Sequence, residues 1–86
     1  MKGAEYMKYN KKFKELLVKK NVSGYELSRK TGIPQSTISD WVSEKSDIIF
    51  AQFNNICEIC YALNCDPKKF YWVFRHDYDI EFLFED

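Results

Sequence analysis

Hydrophobic residues recur at helical spacing along most of this chain of 86 residues. Near the N-terminus, Phe13, Leu16 and Leu17 follow the i, i+3, i+4 spacing of a helix with one buried face. Asn10 is a suitable N-cap for this helix, and Asn21 is a suitable end. The pattern therefore predicts a first helix between the two asparagines.

A second helix start follows closely. Ser23 and Glu26 form a capping-box pattern, in which each side chain accepts a hydrogen bond from the backbone of the other. This predicts a second helix from about Gly24 to Lys30. It should end at Gly32, because glycine readily takes the positive φ found just beyond a helix C-terminus.

A third helix is predicted over residues 34–43, since Pro34 suits a first turn in which no backbone donor is needed. At 100° per residue, one side of this helix is apolar and faces the core, with Ile38, Trp41 and Val42. The other side carries short hydrogen-bonding groups: Gln35, Ser36, Ser39 and Asp40. Two short helices joined by a glycine turn, with such a face on the second, predict a helix-turn-helix that enters the DNA major groove.

Two further helices complete the prediction. The fourth is indicated by an apolar stripe at helical spacing, formed by Ile49, Phe53, Ile56, Cys60 and Leu63. Asp66 as N-cap and Pro67 at the first position begin a fifth helix. The chain is thus predicted to be an all-α bundle of five helices.

Composition favours a soluble, cytoplasmic protein, since there is no long apolar run or leader pattern. The net charge is zero, yet residues 1–45 carry ten Lys and Arg against five acids, and residues 46–86 carry three against eight. A basic first half suits a polyanion. Alternatively, the lysines of the first helix region simply solvate its outer face; these are Lys8, Lys11, Lys12, Lys14, Lys19 and Lys20.

The three cysteines make no disulfide framework. Cys57 and Cys60 form a CxxC, but only Cys65 and His76 could add ligands for a structural zinc site. We therefore expect no metal and no cofactor, with cysteines acting as small apolar residues. A single histidine and isolated glycines also give no catalytic constellation or phosphate loop, so an enzyme is not expected.

At this point the sequence resembles the helix-turn-helix domains of the Cro and lambda-repressor type, also called the XRE family. The resemblance covers about residues 10–72 and rests on these residues: Ser23, Glu26, Leu27, Ser28, Thr31-Gly32-Ile33, Ser36-Thr37-Ile38-Ser39, Trp41, Ile56, Ile59, Ala62, Leu63, Asn64 and Asp66. It implies a five-helix bundle that binds double-stranded DNA as a dimer. The implied base-reading positions are Gln35, Ser36, Ser39 and Asp40. The implied phosphate-contacting positions are Gly24, Tyr25, Thr37, Ser43 and Lys45.

Three features depart from the family pattern. Gly24 stands where the family often has a phosphate-contacting Gln, so only its backbone N–H and the helix dipole remain. The loop over residues 43–49 has neither Gly nor Pro and is about two residues longer than usual. The chain also lacks net positive charge, so we expect weaker DNA binding than in a basic relative.

The segment after residue 72 is acidic and aromatic. Polar and apolar residues alternate between Asp77 and Phe84, which favours an extended strand. The surplus apolar residues predict either a homodimer contact, with two strands paired antiparallel, or packing of the tail on its own domain. The candidate dimer residues are Trp72, Phe74, Tyr78, Ile80, Phe82 and Phe84.

The sequence thus predicts an N-terminal extension over residues 1–9, a DNA-binding domain over 10–72 and a tail over 73–86. The expected function is a sequence-specific transcriptional regulator, specifically a repressor that occupies an operator. Two alternatives remain. One is the antitoxin of a toxin–antitoxin pair, whose tail binds the toxin as a protein partner. The other is a protein-interaction module that keeps the fold but has lost DNA binding, as neutral charge and Asp40 would favour.

Overall fold

The computed structural model of the protein describes residues 12–43 and 45–85. These residues form five α-helices: α1 (12–20), α2 (Gly24–Thr31), α3 (Gln35–Val42), α4 (Phe53–Leu63) and α5 (Pro67–Arg75). Two short 3-10 helices span Ile48–Phe50 and Ile80–Phe84. The all-α, five-helix prediction is confirmed. The predicted N-terminal extension and the Asn10 cap lie outside the described residues.

Local signals set the helix ends as expected. The Ser23 hydroxyl accepts from the Glu26 N–H at 3.0 Å, and the Glu26 carboxylate accepts from the Ser23 N–H at 3.0 Å, which completes the capping box. Gly32 ends α2 with φ of 79°, and Asn21 after α1 also lies in the left-handed region, with φ of 57°. Asp66 caps α5 by accepting from the Lys68 N–H at 2.9 Å.

Side-chain hydrogen bonds hold the turn between α2 and α3. The Ser28 hydroxyl donates to the Ile33 carbonyl at 2.6 Å, and the Thr31 hydroxyl oxygen accepts from the Ile33 N–H at 3.1 Å. Ile33 itself is buried. The turn therefore fixes the angle at which α3 leaves α2, and with it the orientation of the outer face of α3.

Every α-helix contributes to one core. The Phe13 ring of α1 meets the Trp41 ring of α3 edge to face, with centroids 6.0 Å apart, and the Phe74 ring of α5 at 6.5 Å. The buried residues are Phe13, Leu16, Leu17, Leu27, Ile33, Ile38, Trp41, Ile48, Ile59, Cys60, Leu63, Phe70, Val73, Phe74 and Leu83. Two of them, Ile38 and Trp41, lie on the inner side of α3 and pack this helix against the core.

The prediction of which α4 residues face the core was wrong at the N-terminal end of the helix. Ile49 lies in a 3-10 helix rather than in α4, because the Asp47 carboxylate accepts from the Ile49 N–H at 3.0 Å and caps that turn. The turn buries Ile48, and α4 begins only at Phe53, whose side chain is 76% exposed. Ile56, Cys60 and Leu63 of the predicted stripe do lie in the core or pack against it, together with the buried Ile59.

The predicted tail strand was also wrong. Residues Ile80–Phe84 form a 3-10 helix that Asp79 caps, accepting from the Glu81 N–H at 3.0 Å. This conformation buries Leu83 against α5, so antiparallel pairing of two tail strands is excluded in this fold. Ile80, Phe82 and Phe84 are only partly buried, and all three pack on the core.

The prediction that Phe74 takes part in a dimer contact is also wrong. Its side chain is 0% exposed and stacks on the Phe70 ring at 4.4 Å, so it belongs to the core and is unavailable to a partner. Trp72 and Tyr78 are exposed. For these two residues a role in dimerisation stays a prediction.

Lysines of α1 hold the tail in place. Lys12 Nζ donates to Asp77 Oδ1 and to the Tyr78 carbonyl, each at 2.6 Å. Lys19 Nζ lies 2.7 Å from Glu81 Oε2. The Lys20 ammonium lies 4.8 Å from the centroid of the Phe84 ring. The basic first half of the chain thus meets the acidic second half within one domain. None of the described helices has the length and apolarity that a membrane span requires.

Candidate nucleic-acid interface

The outer face of α3 is polar and exposed. Gln35, Ser36 and Ser39 are all solvent-accessible, while Asp40 is half-buried on the same helix. The structure therefore brings the four predicted base-reading residues onto one helix whose opposite side is fixed in the core. After Ser43, which ends α3, the chain turns back, and the Asp40 carbonyl accepts from the Lys45 N–H at 2.9 Å.

A groove beside α3 joins it to the start of α2; we call it the α2 groove. It has a volume of about 430 Å³. It is lined by Lys14, Leu17, Val18, Val22, Ser23, Gly24, Tyr25, Gln35, Ile38, Ser39 and Val42. Two predicted phosphate-contacting residues, Gly24 and Tyr25, thus lie next to two predicted base-reading residues, Gln35 and Ser39.

The start of α2 offers backbone donors to this groove. Gly24 and Tyr25 occupy the first turn, where N–H groups have no acceptor within the helix. Tyr25 is exposed, and the Arg29 guanidinium lies 5.8 Å from its ring centroid, which adds a cation beside the donors. A Cβ added at Gly24 would meet Ile38 Cγ2 at 3.6 Å, an ordinary contact, so the position has room for a side chain.

A second groove lies between α3 and the start of α4; we call it the α4 groove. It has a volume of about 590 Å³. Its lining residues are Thr37, Trp41, Lys45, Ser46, Asp47, Phe50, Ala51, Gln52 and Asn55. The groove brings together Thr37 and Lys45, both predicted to contact phosphate. Ser43, the remaining predicted phosphate contact, is exposed at the end of α3 and lines neither groove.

Gln52 and Asn55 were missed by the sequence analysis. Both line the α4 groove beside Thr37 and Lys45, and their amides can donate to phosphate oxygens. A signal was present in the sequence, because residues 52–55 read Gln-Phe-Asn-Asn where a solvated helix of this chain would be expected to carry Lys or Glu. The position of α4 relative to α3 is what gives those amides their place in the groove.

The interface carries few cations. Lys14 lines the α2 groove, Arg29 lies beside Tyr25 of the same groove, and Lys45 lines the α4 groove. Against them stand Asp40 on α3 and the buried Asp47, whose carboxylate is used for capping. Because Lys12 and Lys19 pair with the tail, they add little to the field at α3.

The cysteines lie away from α3, on α4 and just after it. All three are free thiols. Burial raises the pKa of Cys60 to about 12, and burial also raises the pKa of Cys65, so both thiols are neutral at ordinary pH. In the parts of the chain that the structure describes, no group of three His, Cys, Asp or Glu side chains is arranged to hold a metal ion.

Comparison with known proteins agrees with this geometry. Residues 12–70 match the model of one protein family, the Cro/C1-type HTH DNA-binding domain. Neither the search of curated proteins nor the search of solved structures gave a match. The family match spans α1 through the first part of α5 and includes both grooves beside α3. It covers more than half of the chain, and the protein therefore belongs to the Cro/C1-type helix-turn-helix DNA-binding family.

Proposed function

We propose that this protein is a sequence-specific transcriptional regulator that represses by occupying an operator. The observation that carries the proposal is the outer face of α3. Its exposed polar side chains, Gln35, Ser36 and Ser39, stand between two grooves that can each receive a sugar-phosphate strand. A helix in the major groove has this environment, because a DNA backbone lies on either side of it.

The side chains of α3 suit base edges. Gln35 can donate to adenine N7 and accept from adenine N6 in a bidentate pair, and the Ser36 and Ser39 hydroxyls can donate or accept. Asp40 can accept from the cytosine N4 amino group. Because Asp40 is half-buried, this contact would require α3 to enter the groove with its C-terminal half close to the bases.

The two grooves would hold the two backbones. In the α2 groove, the N–H groups of Gly24 and Tyr25 point at a phosphate from the positive end of a helix dipole. In the α4 groove, Thr37, Lys45 and Gln52 supply a hydroxyl, a cation and an amide. Contacts of this kind fix the register of α3 on the duplex and carry no sequence information themselves.

Repression follows from occupancy. One such domain covers one half-site, and two half-sites about one DNA turn apart require two copies in fixed geometry. We therefore propose a homodimer on a two-fold symmetric operator. A dimer seated over a promoter would exclude the transcription machinery from the same DNA.

A second candidate is a protein-interaction module on this fold. Asp40 on the face that should approach a polyanion, together with the net charge of zero, favours it. The antitoxin alternative keeps DNA binding and adds a protein partner. The exposed aromatic residues Tyr71, Trp72 and Tyr78 at the end of α5 and the start of the tail are the surface it would use.

The deciding experiment is a selection of bound sequences from a random DNA pool, followed by fluorescence anisotropy titration. We expect a two-fold symmetric consensus, bound at least about a thousandfold more tightly than random duplex. A chain that shows no affinity for random duplex at low salt, and that enriches no sequence, would be the interaction module. An operator bound by a regulator that also co-purifies with a small toxic protein would identify the antitoxin.

A further inference from the structure

Helix α4 ends in a turn that brings two cysteines together. Asn64 follows the helix with φ of 58°, and its N–H donates to the Tyr61 carbonyl at 3.3 Å. The Cys65 N–H donates to the Cys60 carbonyl at 2.8 Å. A left-handed residue with this pair of hydrogen bonds is a Schellman motif, in which the two residues joined by the outer bond commonly pack against each other. In this chain both of those residues are cysteines.

The outer hydrogen bond limits the distance between the two backbones. With an N···O distance of 2.8 Å and standard bond lengths, the Cα atoms of Cys60 and Cys65 are at most about 6.7 Å apart. A disulfide spans Cα separations of about 4.4–6.8 Å. Cys57 and Cys60 are less suitable, since they lie three residues apart in the middle of α4. Their Cβ atoms are then about 5–6 Å apart, beyond the roughly 3.5–4.5 Å that a disulfide requires.

The two thiols differ in their access to solvent. Cys60 is 1% exposed and belongs to the core. Cys65 is half-buried and packs against the core from the outside. It also lines an open groove of about 510 Å³, together with Cys57, Glu58, Tyr61 and Pro67. A reagent in solution can therefore reach the sulfur of Cys65 but not that of Cys60.

The electrostatic environment of the thiols agrees with this difference. Burial is the main cause that raises the pKa of Cys60 to about 12, and the next is the charge of a Cys65 thiolate, so the two sulfurs lie within electrostatic reach. Burial also raises the pKa of Cys65, but the Lys20 ammonium lowers it in part. Cys65 thus has both the access and the nearby cation that favour a nucleophilic thiolate.

We propose that Cys60 and Cys65 are a reversible redox pair, in which Cys65 reacts with a low-molecular-weight disulfide such as oxidised glutathione and Cys60 resolves the product. In the first step the Cys65 thiolate attacks one sulfur of the reagent, forms a mixed disulfide and releases one thiol. In the second step the Cys60 thiolate attacks the Cys65 sulfur and releases the other thiol. Two protein thiols are oxidised to one disulfide, the reagent is reduced to two thiols, and these take up the two protons that the protein thiols lose.

Oxidation of this pair ties two helices together. Cys65 directly precedes Asp66, the N-cap of α5, so a bond from Cys65 to Cys60 joins the last turn of α4 to the start of α5. Because both thiols are neutral at ordinary pH, the pair reacts slowly and stays reduced unless reactive disulfides persist around it. The thiol chemistry needs no DNA, so it stands or fails separately from the proposed regulator.

The bond can be located by mass spectrometry after the folded protein is incubated with oxidised glutathione and blocked with iodoacetamide. Trypsin leaves all three cysteines in the peptide 46–68, and a chymotrypsin cut after Tyr61 separates Cys65 from the other two. We expect the two halves to stay joined in wild type and in Cys57→Ser, from chains that remain monomeric on a non-reducing gel, and to separate after dithiothreitol. Halves that separate without a reductant would overturn the proposal.

Two variants in the Cys57→Ser background assign the roles of the thiols. Cys60→Ser removes the resolving thiol and should trap a mixed disulfide of glutathione on Cys65. Cys65→Ser removes the attacking thiol, and the buried Cys60 should then react at least about tenfold more slowly than Cys65 does. Circular dichroism verifies that both variants fold. A Cys60 thiol that reacts as fast as Cys65 would refute the assigned order of attack.

Comparison of the folded and the unfolded chain tests whether the fold prepares the pair. Equilibration of Cys57→Ser with mixtures of oxidised and reduced glutathione gives the effective concentration of Cys60 and Cys65 for each other. We expect this value to be at least about tenfold higher in native buffer than in concentrated urea, because the turn at Asn64 already holds the two backbones within reach. An equal or lower value in the folded protein would show that the native turn does not favour the bond, and the proposal would fail.

Discussion

Lys12 Nζ lies 2.6 Å from Asp77 Oδ1 and joins α1 to the segment after α5 across 65 positions of the chain. The Lys12 side chain is largely buried in this contact, and the second pair, Lys19 with Glu81, lies further along the same two segments. The acidic tail thus neutralises lysines that would otherwise extend a positive field around the domain. DNA affinity must then depend on the cations that remain beside α3.

The first prediction compares two lysines. Lys45→Gln should reduce the slope of log affinity against log salt by about 1, because Lys45 lines the α4 groove and would neutralise one phosphate. Lys12→Gln removes the same charge but should leave the slope unchanged, since its ammonium is held by Asp77. Anisotropy titrations on random duplex at several salt concentrations measure both. Equal slopes for all three proteins would place the α4 groove away from DNA.

The second prediction tests specificity. Gln35→Ala should cost roughly 1–3 kcal/mol at the preferred site and relax the preference at one base pair, because a bidentate contact to adenine is lost. Gln52→Ala in the α4 groove serves as the control, since a backbone contact should weaken binding to all sequences alike. Competition titrations against single-base variants of the selected site give the comparison. A uniform loss for Gln35→Ala would show that Gln35 only positions the backbone.

The third prediction concerns the acid on α3. Asp40→Asn should strengthen binding to random duplex at low salt, because a negative charge near phosphates is removed. Glu85→Gln at the end of the tail makes the same change of charge at a distant, exposed position and should have a smaller effect. If the two substitutions raise the affinity equally, only net charge matters, and α3 has no special proximity to DNA.

Some of this structure followed directly from local sequence signals. Helix α2 begins and ends where the sequence indicates. Its signals are local, because Ser23 and Glu26 bond to each other's backbone at the start of the helix and Gly32 supplies the positive φ at its end. The polar side of α3 could also be predicted from the sequence. Ile38 and Trp41 must face the core, so the polar residues on the opposite side of the helix must face solvent. Local chemistry of this kind needs no knowledge of the rest of the chain.

Other features could not be obtained in the same way. Helix α4 has apolar residues on both sides, so its periodicity did not show that Ile59 is buried or that Phe53, the first residue of the helix, lies outside the core. Burial at a helix end depends on which other segments cover it, and a single helix pattern does not contain that information. The tail alternates like a strand, but it meets lysines of α1 that are far away in sequence. Those contacts and the burial of Leu83 favour a 3-10 helix on its own domain over an exposed strand.

The fourth prediction uses the raised pKa of Cys60. Burial raises it from an ordinary value of 9.0 to about 12, so the folded protein keeps the neutral thiol when the unfolded chain already ionises. The stabilising effect is complete below pH 9 and is lost as pH rises toward 12, at about 1 kcal/mol per pH unit. Urea unfolding at pH 8 and pH 10 should show a larger drop for wild type than for Cys60→Ala, in which all other groups titrate alike. Equal drops would mean that the Cys60 thiol ionises in the folded state.

The last prediction is that the tail belongs to the core of the domain. Leu83 is 5% exposed in the 3-10 helix that packs on α5, so Leu83→Ala should lower the free energy of unfolding by about 2–3 kcal/mol. Val18→Ala is the control, because Val18 is 71% exposed on α1 and its loss should change stability by less than about 0.5 kcal/mol. Deleting residues 77–86 removes Leu83 together with the partners of Lys12 and Lys19, and should cost more than Leu83→Ala alone. Urea unfolding followed by circular dichroism measures all three variants. A truncated chain as stable as wild type would show that the tail is only attached to the domain, and the tail would again be available for a partner.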